Sequence, residues 1–370
     1  MNWLLLQALL CFLFLLCALI LLLGALRSRA RRTAPPAPQP TVSIIVVARD
    51  EAERIAGCLT ALAKQNYPGA LQVILVDDHS ADDTAELMRA FANGRKNWLA
   101  LQTPDDARWR SGKKNGLATA AARATGQLLF FTDADCQPPP DWLVRCVAAW
   151  PDDAILLAGF SPLHSAGSSR WDRFLSTASL ADALTAAGLI GWNRGASCTG
   201  RNLAFRRRLL TSLDGYANLP DTLSGDDDFV LQAASRLPDD RAAYSFDPDT
   251  FVPAAGPNNW RSFLQQKKRH LSASRHYPAG RKMFFGLYHG SNLGVWLLAP
   301  LFLFRSPWYL FILFCKFAAE GLILSLWARQ MGQKLYWRTF LWWQALFPLY
   351  HLWCLPGAWA GRLSWKGRVL

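Results

Sequence analysis

Residues 42–78 read VSIIVVARDEAERIAGCLTALAKQNYPGALQVILVDD, and the alternation within them decides the fold. Val42 to Val47 is a short β-branched run, the mark of a strand buried on both faces. Glu51 to Lys64 reads as a helix, and Val73 to Val76 as the next buried strand. Outward from this unit, Ala81 to Asn93 reads as helix and Trp98 to Leu101 as strand. Lys113 to Ala124 is an Ala-rich helix, and Leu128 to Thr132 (LLFFT) is a fourth strand. The order predicts an α/β domain with a doubly wound, mostly parallel sheet, whose ligands bind beyond the carboxyl ends of the strands. Polar residues cluster at those ends: Arg49, Asp50 and Glu51, then Asp77 and Asp78, then Asp133 and Asp135.

Composition narrows the class. The chain has 370 residues, 51% hydrophobic, with a formal net charge of +13, which excludes a disordered protein and a small disulfide scaffold. Its 27 acids divide into 23 Asp and 4 Glu, an excess that favours turns, caps and hard-cation sites over helices. No G-x-G-x-x-G follows the first strand and no G-x-x-x-x-G-K-[ST] occurs, which argues against dinucleotide and P-loop sites. The eight cysteines form no C-x-x-C, so neither a disulfide framework nor a zinc site is indicated.

Trp3 to Leu26 is apolar apart from Gln7 and long enough to span a bilayer. Arg27, Arg29, Arg31 and Arg32 follow it, so the positive-inside rule places the rest of the chain on the cytoplasmic side. A Pro-rich spacer, residues 34–40, comes next. Met283 to Phe304 and Pro307 to Trp327 read as an antiparallel pair of spans joined at Arg305–Ser306, with Lys316 and Glu320 one turn apart to neutralise each other. Phe340 to Ala360, with Gln344, Pro348, His351 and Pro356, fits a re-entrant or interfacial helix better than a third span.

The chemistry sits at the strand ends. Asp133 and Asp135, one residue apart behind an apolar strand, can both reach a single divalent cation. Asp226/Asp228 and Asp247/Asp249 repeat the spacing, but the last flanks Pro248 and reads as a turn. Lys113 opens a helix against the macrodipole, which diphosphate binding would explain. Asp226, Asp227 and Asp228 exceed what capping requires, and crowded carboxylates are candidates for a tuned base. Gln265 to His270 lies in a basic stretch, Arg261 to Lys282, suited to anionic headgroups.

As an ordered set, SIIVVARDEAERI, ILVDDHSADDT, GKKNGL, FFTDADCQPPPDWL, CTGRNLAFRR, GDDDFVLQ and QKKRH resemble a family 2 glycosyltransferase of GT-A fold, of the membrane-bound bacterial type. The chain divides into an anchor (1–26), a basic Pro-rich linker (27–40), a transferase domain (41–257), a basic juxtamembrane helix (258–282) and a C-terminal membrane region (283–370, two spans plus a third spanning, re-entrant or interfacial segment), and about residues 41–277 carry the resemblance. The resemblance implies an inverting transfer from a nucleotide-sugar, a UDP-sugar first among them, and the helices at both ends with the basic flank point to a lipid or lipid-linked/glycan acceptor at the cytoplasmic face of the inner membrane. No nucleic-acid partner is expected. Arg49, Asp50, Glu51, Asp77, Asp78, Lys113 and Asp133 would bind the donor, and Asp133 with Asp135 would hold Mg²⁺ or Mn²⁺. Asp227 would be the catalytic base, with Asp226 in the place of the family's Glu. Gly200, Arg201, Asn202, Gln266, Arg269 and His270 would face the acceptor; His270 replaces the Trp of the Q-x-x-R-W motif. A processive polysaccharide synthase and an inactive membrane-tethered assembly subunit are the alternatives.

Overall fold

The computed structural model describes residues 2–30, 39–105, 109, 111–164, 170–222, 224–238 and 240–360, with two short paired backbone segments beyond them. Helix α1 (Trp3–Ser28) starts at Asn2, whose side chain accepts the Leu4 N–H at 3.2 Å. The α/β domain then runs β1 (Val42–Ala48), α2 (Ala52–Ala63), β2 (Leu71–Asp77), α3 (Thr84–Ala92), β3 (Trp98–Gln102), α4 (Gly112–Ala121), β4 (Leu128–Phe131), α5 (Trp142–Ala149) and β5 (Ala154–Ala158). It continues through β6 (Leu163–His164), α6 (Arg170–Gly191), β7 (Leu203–Arg206), α7 (Leu209–Ser212), α8 (Asp226–Ala234), β8 (Arg241–Tyr244) and β9 (Ala254–Ala255). Helices α9 (Trp260–Ala273), α10 (Ala279–Leu298), α11 (Trp308–Gln330) and α12 (Trp337–Ala360) follow.

Seven strands form one sheet in the order β3-β2-β1-β4-β7-β5-β8. β1, β2, β3 and β4 are parallel, β7 runs antiparallel between β4 and β5, and β8 is parallel to β5. The apolar strand runs are what this demands: Ile44, Ile45, Val46 and Val73 to Val76 are fully buried, because helices cover both faces. Phe130 on β4 meets Trp142 of α5 edge-on at 5.2 Å, closing one of those faces.

By length and composition α1, α6 and α11 could each cross a membrane. α6 lies within the sheet domain's own sequence, between β6 and β7, and packs on α1 so closely that a β-carbon at Gly24 would sit 2.1 Å from the Gly188 carbonyl oxygen. Small residues permit this approach, as in membrane helix pairs. Trp192 Nε1 donates to the Ile20 carbonyl at 2.8 Å, and Trp327 Nε1 of α11 to the Leu180 carbonyl of α6 at 2.9 Å.

The C-terminal block departs from its expected outline. Met283 to Phe304 is α-helical only to Leu298, followed by a 3-10 turn at Ala299–Leu303, because Pro300 cannot donate a helical hydrogen bond. α12 is one continuous helix through Pro348 and Pro356, over the segment read as a third spanning, re-entrant or interfacial helix. Lys316 lies 2.8 Å from Glu320, and its ammonium also donates to Gln344 of α12 and sits 4.6 Å from the Phe14 ring of α1.

Candidate active site

A cavity of about 1290 Å³ opens over the carboxyl ends of β1, β2 and β4. Arg49, Glu51 and Asp78 form one wall. Asp50 does not reach it: at φ 49° this residue is in the left-handed region that Asp tolerates, its N–H bonded to Ser80 Oγ and its carboxylate accepting the Ala81 N–H at 2.8 Å. Asp77 also stands behind the wall, accepting the Ser80 N–H at 3.2 Å, while its Oδ1 is buried with no hydrogen-bond partner among the described residues. Arg49 Nη1 donates to the Asp78 carbonyl at 3.3 Å, joining the β1 and β2 loops.

The next wall comes from β4 and α4. Lys113 Nζ, in the first turn of α4, donates to Asp133 Oδ1 at 2.7 Å and lies 4.0 Å from Asp226 Oδ2. Burial works against its charge, but Asp133, Asp226 and Asp227 outweigh it and hold the ammonium above its ordinary range. Burial raises Asp133 too, and Lys113 more than reverses this. Asp135 is raised, first by burial and then by Asp133, and has no ion-pair partner among the described residues. Lys114 does different work: its ammonium is buried, donating to the Pro220 and Thr222 carbonyls and to Thr222 Oγ1, and burial lowers it to about 8.

Facing these groups is the start of α8. Gly225 caps the helix at φ 91°, a conformation suited to glycine. Asp227 Oδ2 accepts the Gly200 N–H at 2.7 Å and Oδ1 the Asp228 N–H at 3.0 Å. Burial and then Asp226 push this carboxyl up, Lys113 and the two N–H groups oppose them, and it comes to rest at about 6. A carboxyl that ionises near neutrality is suited to accept a proton. Asp228 also borders the cavity but is tied up, accepting the Cys198 N–H at 3.1 Å and the Tyr277 hydroxyl at 2.6 Å, and burial followed by Asp227 drives it well above the carboxylate range.

Residues 43–213 match Glycosyl transferase family 2. The chain carries a family 2 glycosyltransferase domain. Glycosyltransferase AglE of Haloferax volcanii is 32% identical over 141 residues, 36% of this chain and 45% of that protein. An N-acetylglucosaminyltransferase of Mesorhizobium japonicum is 34% identical over 127 residues, 33% of this chain and 28% of its own length. The chain thus spans less than half the length of these curated relatives. A mannosyltransferase from Pyrobaculum calidifontis, solved in complex with GDP-Man and Mn²⁺, superimposes with a TM-score of 0.57 at 23% identity, covering 95% of this chain and 98% of that one. The family 2 domain therefore has the GT-A fold, and the likeness reaches beyond it into the flanking helices.

On the far side of the family 2 domain's cavity, α9 supplies Gln266, Arg269 and His270, with Arg269 Nη2 3.3 Å from His270 Nε2 at the exposed edge. Gly200 and Arg201 line the cavity as well. Asn202 is held behind it: its amide donates to the Phe160 and Thr250 carbonyls at 2.8 Å, and its oxygen accepts Trp142 Nε1 at 3.0 Å. Asp247 and Asp249 form a turn, as read, with the Asp249 N–H on Asp247 Oδ1. Tyr277 and Asp182 also line the cavity and went unread, because only the fold brings them there. Among the described residues no three His, Cys, Asp or Glu side chains converge as a metal cluster. Two crowded carboxylates, one of them in no salt bridge among the described residues and only offset by the charge of Arg201, nonetheless fit a hard divalent cation that completes its shell with phosphate oxygens and water.

Proposed function

We propose that the chain is a membrane-bound, inverting glycosyltransferase that moves a sugar from a nucleotide-sugar to a lipid or lipid-linked acceptor at the cytoplasmic membrane face. The observation that carries this reading is the opposition, in one cavity, of Asp227 to Lys113, Asp133 and Asp135. Arg49, Glu51 and Asp78 would receive the nucleoside. Asp133 and Asp135 would hold Mg²⁺ or Mn²⁺, which supplies positive charge to the departing nucleoside diphosphate; the Mn²⁺ complex of the Pyrobaculum fold neighbour supports this choice. Lys113 and Arg269 add fixed positive charge where negative charge develops on the leaving group. Asp227 accepts the proton of the acceptor hydroxyl as its oxygen attacks the anomeric carbon from the opposite side, so configuration inverts. The arginines after α1 favour a cytoplasmic catalytic domain, and apolar helices long enough to cross a membrane support a position beside the bilayer.

A panel of nucleotide-sugars, offered to detergent-purified protein with Mn²⁺, Mg²⁺ or chelator and a membrane lipid extract, tests the reading. Turnover of one donor, lost with chelator and in Asp135→Ala, is the expected result. Absence of turnover with every donor and metal would leave the inactive assembly subunit as the better account. Product mass separates single transfer from a processive synthase.

A further inference from the structure

The cavity does not end at the carboxylates. It runs on between α6, α10 and α12, where Gly286, Gly290 and Leu293 face Phe347, Leu352 and Leu355. A β-carbon on Gly286 or Gly290 would meet nothing within 4 Å. Glycine weakens a helix interior, and these two lie one turn apart with no neighbour close enough to require them. They contrast with Gly24 and Gly188, where helix backbones touch. What Gly286 and Gly290 provide is width.

The lining also changes character along its length. Lys267 pairs with Asp182 at 2.6 Å, and the rings of His289 and His351 stack with centroids 4.5 Å apart. His289 lies near enough to Asp182 and Lys267 to sense both charges, and its Nδ1 is buried without a hydrogen-bond partner among the described residues. Beyond this polar neck the α12 wall is apolar, with Phe347, Pro348, Leu352 and Leu355, although Lys268, Ser274 and Lys282 also line the cavity, and Gly286, Gly290, Leu352 and Leu355 are exposed along the side of the helix block. From Phe347 to Trp359 the α12 wall extends about 18 Å at the helical rise per residue.

Resting on the transferase reading, we infer that the groove between α10 and α12 binds the hydrocarbon chain of the lipid acceptor, entering sideways from the bilayer, with the polar neck passing its hydroxyl head toward Asp227. Continuity with the cavity that holds Asp227 selects this occupant over a peptide or a second copy of the chain. A polar-to-apolar gradient that opens sideways matches an amphiphile with one long tail.

Photolabelling of the full chain in phosphatidylcholine vesicles containing a diazirine-tagged hexadecanol tests this. Labelling of Phe285, Leu293, Leu352 and Leu355 should saturate at low probe content. It should fall several-fold in Gly290→Leu and in Gly286→Leu, which narrow the groove at positions where an added β-carbon meets nothing within 4 Å. Label on Phe314, exposed on α11, should persist in both variants, and Leu287→Trp, outside the cavity lining, should leave the groove label as it is. Groove label that rises in proportion to the probe marks bulk lipid and overturns the inference, as does label unchanged in both glycine variants. Thermal unfolding of each variant shows whether it is folded. Because no nucleotide-sugar is needed, an unlabelled groove defeats this inference alone, whereas absent donor turnover defeats the transferase reading.

Discussion

Three adjacent carboxylates, Asp226, Asp227 and Asp228, have three different surroundings. Asp226 is within 4.0 Å of Lys113, Asp227 takes two backbone N–H bonds, and Asp228 is tied up by Tyr277. Only Asp227 combines access to the cavity with a carboxyl pushed up to about 6. Asp227→Asn should cut transfer by about 10²–10⁴-fold, read as kcat, with nucleotide binding retained by calorimetry. On the proposed mechanism, kcat/KM of the unsubstituted protein should fall about tenfold per pH unit below that midpoint. Stability should move the other way. A carboxyl raised in the folded state binds its proton there while the unfolded chain has released it, so acidifying from pH 6 toward pH 4 stabilises the fold through this group. Thermal unfolding of native protein against Asp227→Asn across that window checks the sign. The residues mark the acidic triplet as more than a cap and the resemblance names Asp227, but neither gives the three different surroundings, because those depend on Gly200 and Tyr277, distant along the chain.

Among the elements, the strands were legible because both faces of a parallel sheet must be apolar, which leaves continuous runs such as Val73 to Val76. Helix α6 was not. Its Ala, Ser and Thr residues and its Asp172 and Asp182 blur any single apolar face, and it is buried by protein on several sides. The α9–α10 junction escaped notice for a different reason: its function lies in contacts, not composition. Tyr277 bonds Asp228 at 2.6 Å, and a β-carbon on Gly225 would sit 2.6 Å from that of Ala273 at the end of α9, so the start of α8 is held by the α9–α10 junction. Tyr277→Phe leaves a buried carboxyl without its donor, a loss of about 1–3 kcal/mol. Acting through position, it should lower kcat by roughly tenfold, leave the donor KM unchanged and shift the acidic limb of the pH profile. At the α1–α6 crossing, where a β-carbon on Gly191 would fall 1.8 Å from the Gly24 carbonyl oxygen, Gly191→Val should separate the helices and lower the melting temperature in detergent. Gly280→Val, with open space around it, is the matched control for crowding.

Taken whole, the molecule is fastened by a polar node as well as by apolar packing. Lys316 and Glu320 of α11 are buried together, and Gln344 of α12 and the Phe14 ring of α1 complete their surroundings. The sequence shows the one-turn pairing, but not that Lys316 also reaches a second helix. Lys316→Met strands a buried carboxylate and should destabilise by about 3–5 kcal/mol, while adding Glu320→Leu should restore much of the loss. Thermal unfolding of the two variants side by side measures the coupling. The α1–α6 contact also sets a schedule for assembly. Gly24 precedes its partner Gly188 by 164 residues. At the usual pace of synthesis the ribosome needs about 8–33 s to make that stretch. Throughout that interval α1 has no protein to lie against, and the Cys17, Ala18, Leu21 and Ala25 surface that it later buries faces lipid or a chaperone. Productive biogenesis thus requires a membrane helix to wait, intact and unaggregated, for a partner supplied from the middle of a sheet domain.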